Sequence, residues 1–105
     1  MIILNKDIFE EEVYNYEGIV IVEFWSETCE PCKQLMPYVD SLFSKYIGNI
    51  KFAKLNTSKA RRLAIKERVL GLPAIVVYKN GIKVDEVNKD EATIENIEVM
   101  IKKYI

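Results

Sequence analysis

With 105 residues, half of them hydrophobic, the chain has the size of one small domain, expected to span residues 1–105 and to fold on its own core without metals or staples. Its formal net charge is −1, and no basic run or aromatic-basic cluster makes an electrostatic case for nucleic acid. It has no histidine, which removes Cys/His nucleophilic pairs and most zinc sites, and no apolar run long enough to span a bilayer.

Ile2-Ile3-Leu4 predicts a short first strand. It runs at once into Asn5-Lys6-Asp7, so the start is not read as a signal peptide, and a cytoplasmic setting is expected. Asn5 or Asp7 can cap a helix with Phe9 and Val13 on one face, and Glu10, Glu11 and Glu12 suit the positive end of its dipole. Glu17-Gly18 breaks that pattern. Ile19 to Trp25 is a nearly continuous apolar run, as a central strand covered on both faces requires. Glu23 is its exception.

Both cysteines follow, in Cys29-Glu30-Pro31-Cys32, between that strand and a helical pattern starting near Pro31. Cys-x-x-Cys after a strand in a reducing compartment reads as a dithiol/disulfide redox pair rather than an inert bridge. A helix N-terminus offers unpaired N–H groups and partial positive charge, which favour a thiolate. Cys29, just outside the helix, is the expected nucleophile. Cys32, inside the first turn, is the expected resolving thiol. Pro31 fits the first turn and stiffens the link between the sulfurs. The Glu30 charge, several ångströms from the Cys29 sulfur, is expected to disfavour the thiolate and make the couple more reducing. With no third cysteine, no metal site is expected.

Leu35, Val39, Leu42, Phe43 and Tyr46 continue at helical spacing, with Pro37 expected to bend the helix. Gly48-Asn49 is expected to end it. Ile50 to Asn56 predicts a second core strand containing Lys54, the expected partner of Glu23. Thr57 or Ser58 is expected to cap a short helix through Glu67, packed by Ala60, Leu63 and Ala64. Gly71-Leu72-Pro73 is a breaker. Ala74 to Tyr78 is a strand, Lys79-Asn80-Gly81 a hairpin turn, and Ile82 to Val87 the return strand. The last helix carries Ile94, Ile97, Ile101 and Tyr104 on one face, with Asp90-Glu91 at its start and Lys102-Lys103 at its end. The order is β-α-β-α-β-α-β-β-α. Helical connections favour parallel pairing of the first three strands, and the hairpin makes the sheet mixed.

Several separated motifs in this order resemble the thioredoxin family. They are Glu23-Phe24-Trp25 leading into Cys29-Glu30-Pro31-Cys32-Lys33, Pro37, Ala53-Lys54-Leu55-Asn56, Gly71-Leu72-Pro73-Ala74 and Tyr78-Lys79-Asn80-Gly81. The resemblance implies the thioredoxin fold, an α/β architecture with a central mixed β-sheet of about five strands flanked by four helices. It implies a monomeric protein-disulfide reductase that needs no cofactor, acts on disulfide-containing proteins and is recycled by a thioredoxin reductase. It further implies a cis peptide at Leu72-Pro73, with Pro73 beside the cysteines and this segment, with Trp25, meeting the substrate. Glu23 would accept the proton of Cys32, and Lys54 would keep Glu23 partly ionised. The chain departs from the family pattern at Glu30 for Gly, Glu23 for Asp, Thr28 for Trp before the first cysteine, and Asn88-Lys89-Asp90 for a Gly-rich rim. A redox-inert binding module on the same fold is the alternative. An oxidant or isomerase, or a glutaredoxin, fits the residues between the cysteines less well.

Overall fold

A computed structural model describes residues 1–48 and 50–105. Five strands form one mixed sheet in the order β1-β3-β2-β4-β5. They are β1 (Ile2–Leu4), β2 (Ile19–Trp25), β3 (Lys51–Asn56), β4 (Ala74–Lys79) and β5 (Ile82–Asn88). β3 lies parallel to both β1 and β2, whereas β4 runs antiparallel to β2 and β5. The expected α/β class, mixed sheet and strand order along the chain all hold.

Alternation along β2 sends Val20, Val22 and Phe24 to one side of the sheet and Ile21 and Glu23 to the other. The first set joins Leu4, Phe9, Val13 and Tyr78 beneath the N-terminal helical segment and α2 (Arg61–Lys66). On the second side, Ile21 joins Val39, Phe43, Phe52, Ile97 and Ile101 beneath α1 (Glu30–Tyr46) and α3 (Ile94–Lys102). Phe43 and Phe52 stack with ring centroids 4.3 Å apart. Each such large apolar side chain, once buried, contributes roughly 1.5–3 kcal/mol.

Local chemistry sets several boundaries differently from the expectation. The Asn5 side chain does accept from the N–H groups of Asp7 and Ile8, at 2.8 and 3.1 Å, but the helix beyond it closes as a short π-type segment, Glu10–Tyr14. α1 continues through Pro37 and stops at Tyr46, with Ile47 already extended. That is earlier than the expected stop at Gly48-Asn49; Gly48 has φ +109°, and Asn49 lies outside the described residues. The expected helix from Thr57 to Glu67 is two pieces, a 3-10 turn (Thr57–Lys59) and α2, separated at Ala60. Asn56, not Thr57 or Ser58, caps the turn, accepting from Ser58 N at 3.0 Å. The Thr57 hydroxyl instead donates to Trp25 O at 3.0 Å. Asp90 and Glu91 sit in a separate turn, Lys89–Glu91, and Thr93 caps α3 by accepting from Asn96 N at 3.1 Å. At the β4–β5 hairpin Asn80 and Gly81 both have positive φ, 51° and 82°, as a turn matching strand twist requires.

Candidate active site

The end of β2 delivers the chain to a short bend, Ser26–Thr28, and α1 begins directly after it. Cys29 is the N-cap residue of α1, in extended conformation. Its sulfur takes the role a side-chain oxygen plays at the usual N-caps, accepting from Cys32 N at 3.2 Å. Pro31 occupies the first turn, where a missing N–H costs nothing. Cys29 and Cys32 form a disulfide with Cα atoms 5.3 Å apart. Cys29 is half-buried, whereas Cys32 is wholly buried among the core side chains. In the dithiol form the same N–H would stabilise a thiolate on Cys29, because hydrogen bonds to an ionised acceptor are the stronger ones.

Two grooves flank this pair. Thr28, immediately before Cys29, borders one with Ser58, Arg61, Ile65 and Leu72. Pro31, between the cysteines, borders the other with Leu35, Tyr38 and Pro73. The Leu72-Pro73 peptide is cis, and its two residues belong to different grooves. Pro73 is buried, shares its groove with Pro31 and Leu35 of α1, and its carbonyl accepts from Lys89 N at 2.9 Å. Trp25 lines a third groove with Ile3, Asn5, Glu27 and Asn56. Trp25 is half-buried at the end of β2, where its register partner on β3 is Asn56.

Glu23 is wholly buried on the α1 side of the sheet, with Lys54 and Ile75 as its register neighbours. Neither carboxylate oxygen has a hydrogen-bond partner among the described residues. Loss of solvation pushes its pKa up to about 8; the positive charge of Lys54 pulls it down, and the negative charge of Asp40 pushes it up. Lys54 is therefore the electrostatic neighbour expected, but its hydrogen bonds go elsewhere. Its ammonium donates to both oxygens of Asp40 on α1, at 3.0 and 3.3 Å. Asp40 is a residue that sequence reasoning missed. The available signal was a lone carboxylate beside the buried Val39, on the helix that follows the cysteines. Glu30 is exposed, and its carboxylate pairs with Lys33 at 3.3 Å across one helical turn. Among the described residues no cluster of three or more histidine, cysteine or carboxylate side chains is placed to hold a metal, and no helix is long and apolar enough to cross a membrane.

Comparison with known proteins gives a consistent result. The thioredoxin family model matches residues 1–103. A thioredoxin of Acetoanaerobium sticklandii is 57% identical over 102 residues, 97% of each chain. A thioredoxin of Peptoclostridium acidaminophilum is 54% identical over 102 residues, 97% of this chain and 93% of that one. An M-type chloroplastic thioredoxin of Pisum sativum is 35% identical over 85 residues, 81% of this chain and 49% of that one.

Proposed function

The chain belongs to the thioredoxin family and is a thiol–disulfide oxidoreductase of the protein-disulfide reductase type, and from that premise we propose that Cys29 attacks, Cys32 resolves and Glu23 accepts the Cys32 proton. The observation that carries this reading is the unequal exposure of the two sulfurs: Cys29 half-buried at the helix cap, Cys32 closed off behind it.

The Cys29 thiolate attacks one sulfur of a substrate disulfide and forms a mixed disulfide, and the other substrate sulfur leaves as a thiolate. Cys32 passes its proton to the Glu23 carboxylate and attacks the Cys29 sulfur. The Cys29–substrate bond breaks, and the second substrate sulfur departs as a thiolate that takes up a proton. Two electrons have moved to the substrate, and the Cys29–Cys32 disulfide remains. A reductase partner returns two electrons and two protons to it. We assign that partner to the thioredoxin reductase class, and the protein to the monomeric state and to a reducing cytoplasmic compartment. Leu72 and Pro73 border the substrate path on its two sides, and Trp25 supports the β2 end of the site.

Insulin reduction by dithiothreitol, followed by turbidity, tests the assignment. Cys29→Ser is expected to abolish the acceleration. Cys32→Ser is expected to keep the first attack and accumulate a mixed disulfide, visible as an added substrate mass that reductant removes. Turnover surviving in Cys29→Ser would overturn the assignment. The redox-inert alternative requires no acceleration from the parent protein.

A further inference from the structure

Apart from the adjacent Arg61 and Arg62, basic residues are spaced along Thr57–Arg68, so the sequence hides how they gather in space. These twelve residues hold five basic side chains against one carboxylate, in a chain of net charge −1. Lys59, Arg61, Arg62, Lys66 and Arg68 are all exposed, and none has an ion-pair partner among the described residues. Six other basic residues are paired with carboxylates: Lys33, Lys45, Lys51, Lys54, Lys83 and Lys103. Lys6, Lys59, Arg61 and Arg62 line a single opening. Arg61 also borders the groove that Thr28 and Leu72 share beside the Cys pair. Glu27 lines an adjoining groove with Lys59, without an ion pair among the described residues.

We propose that this basic α2 margin docks an acidic segment of the substrate protein, one rich in Asp and Glu and next to the disulfide that Cys29 attacks. The inference deepens the reading of the Cys pair and rests on it. Charge complementarity carries it. A cluster of unneutralised cations beside a reactive groove raises the encounter rate of a substrate whose disulfide lies near carboxylates, and the effect is screened by salt. The continuity through Arg61 puts the acidic segment on the Thr28–Leu72 side of the sulfurs, leaving the Pro31–Tyr38 groove for the other flank. A protein segment is favoured over nucleic acid because the groove that continues the patch passes Thr28, the residue before Cys29, and the reaction partner of a disulfide is another sulfur.

Two synthetic peptides test this, each closed by one disulfide and differing only in a tail of aspartates or of serines. The second-order rate constant for oxidation of the reduced protein is measured with each. The Asp-tailed peptide is expected to react about tenfold faster at about 20 mM salt, with the advantage gone by about 0.5 M. In the double variant Lys59→Glu/Arg62→Glu the advantage is expected to vanish or reverse, while the Ser-tailed rate stays unchanged. Arg62 lies in the first turn of α2 and Lys59 just before its cap residue Ala60, where negative charge suits the helix. The control Lys79→Glu/Lys102→Glu makes the same change in net charge away from the patch and is expected to keep the advantage. Equal rates for the two peptides with the parent overturn the proposal, as does an advantage that survives in Lys59→Glu/Arg62→Glu or is lost equally in the control. So does an oligonucleotide that binds the parent and not the variant while both peptides react alike. A parent that oxidises with neither peptide overturns the Cys29 assignment itself, a failure distinguishable from an equal pair of rates.

Discussion

Glu23 is a wholly buried carboxyl group with no hydrogen-bond partner among the described residues, and its proton carries a signature in stability. Burial raises its pKa from 4.5 to about 8. The folded state therefore holds this proton more tightly than the unfolded state. Folding is favoured in acid, and that contribution is lost as pH rises through about 8. The oxidised protein, in which no thiol titrates, is expected to lose stability across this window by at most about 1.4 kcal/mol per pH unit. Glu23→Gln is expected to flatten the profile. Urea titrations of parent and variant check this, and parallel curves would contradict it. At neutral pH only about a tenth of such a group is ionised, so resolution by Cys32 is expected to accelerate as pH climbs toward 8. Asp40→Asn removes a charge that raises the Glu23 pKa and releases Lys54 from its partner. The Glu23 pKa is expected to fall, which carboxyl NMR titration reads directly. Glu30→Gly is expected to make the couple less reducing by about 10 mV, small because the pair with Lys33 already offsets the charge in open solvent. An unchanged or more negative potential would refute it. The burial of Glu23 was legible in the sequence, since it interrupts an apolar strand on the face shared with Ile21. The commitment of Lys54 to Asp40 was not. It depends on how α1 lies across the sheet, and no local pattern encodes that.

Among the elements, those with strong periodicity were read closest to their observed bounds. β2 is an example: an apolar run of β-branched and aromatic residues, broken only by Glu23, between Gly18 and the bend before Cys29 leaves little freedom. The segment after β3 was misread because Thr57 and Ser58 look like caps, whereas the side chain one residue earlier does the capping and Thr57 turns back to Trp25. Competing hydrogen-bond partners for short polar side chains are decided by tertiary neighbours. The start of α3 was misread for a related reason. Acidic residues at 90 and 91 suit a helix dipole, but Thr93 is the residue whose hydroxyl closes the first turn. Thr93→Ala is expected to cost about 1 kcal/mol of folding free energy while leaving insulin reduction unchanged, because the cap lies outside both grooves beside the cysteines. Chemical denaturation against the turbidity assay separates the two effects.

Across the whole molecule, the N-terminal helical segment, the end of α2 and β4 are tied at one point. The hydroxyls of Tyr14 and Tyr78 both donate to the carboxylate of Glu67, the latter at 2.6 Å, and burial with the neighbouring carboxylate raises both phenol pKa values. Tyr14→Phe and Tyr78→Phe are each expected to destabilise by about 1–2 kcal/mol, and the double variant by an amount that differs from the sum of the two. A cycle that closes additively would mean the two hydroxyls act independently. The sequence showed which strands exist and that the sheet is mixed, but the Glu67 junction joins positions 14, 67 and 78, and spacing carries no sign of it.

The strand order also fixes what the molecule shows at its two lateral margins. One margin is β1, three residues long; the other is β5, where Lys83, Asp85 and Glu86 are engaged with Glu67, Lys103, Tyr104 and one another. Brevity on one side and tethered charge on the other deny a second copy any long, unguarded ribbon to extend. A concentrated, agitated stock should accordingly stay clear and dye-negative in a fibril assay for as long as it stays folded.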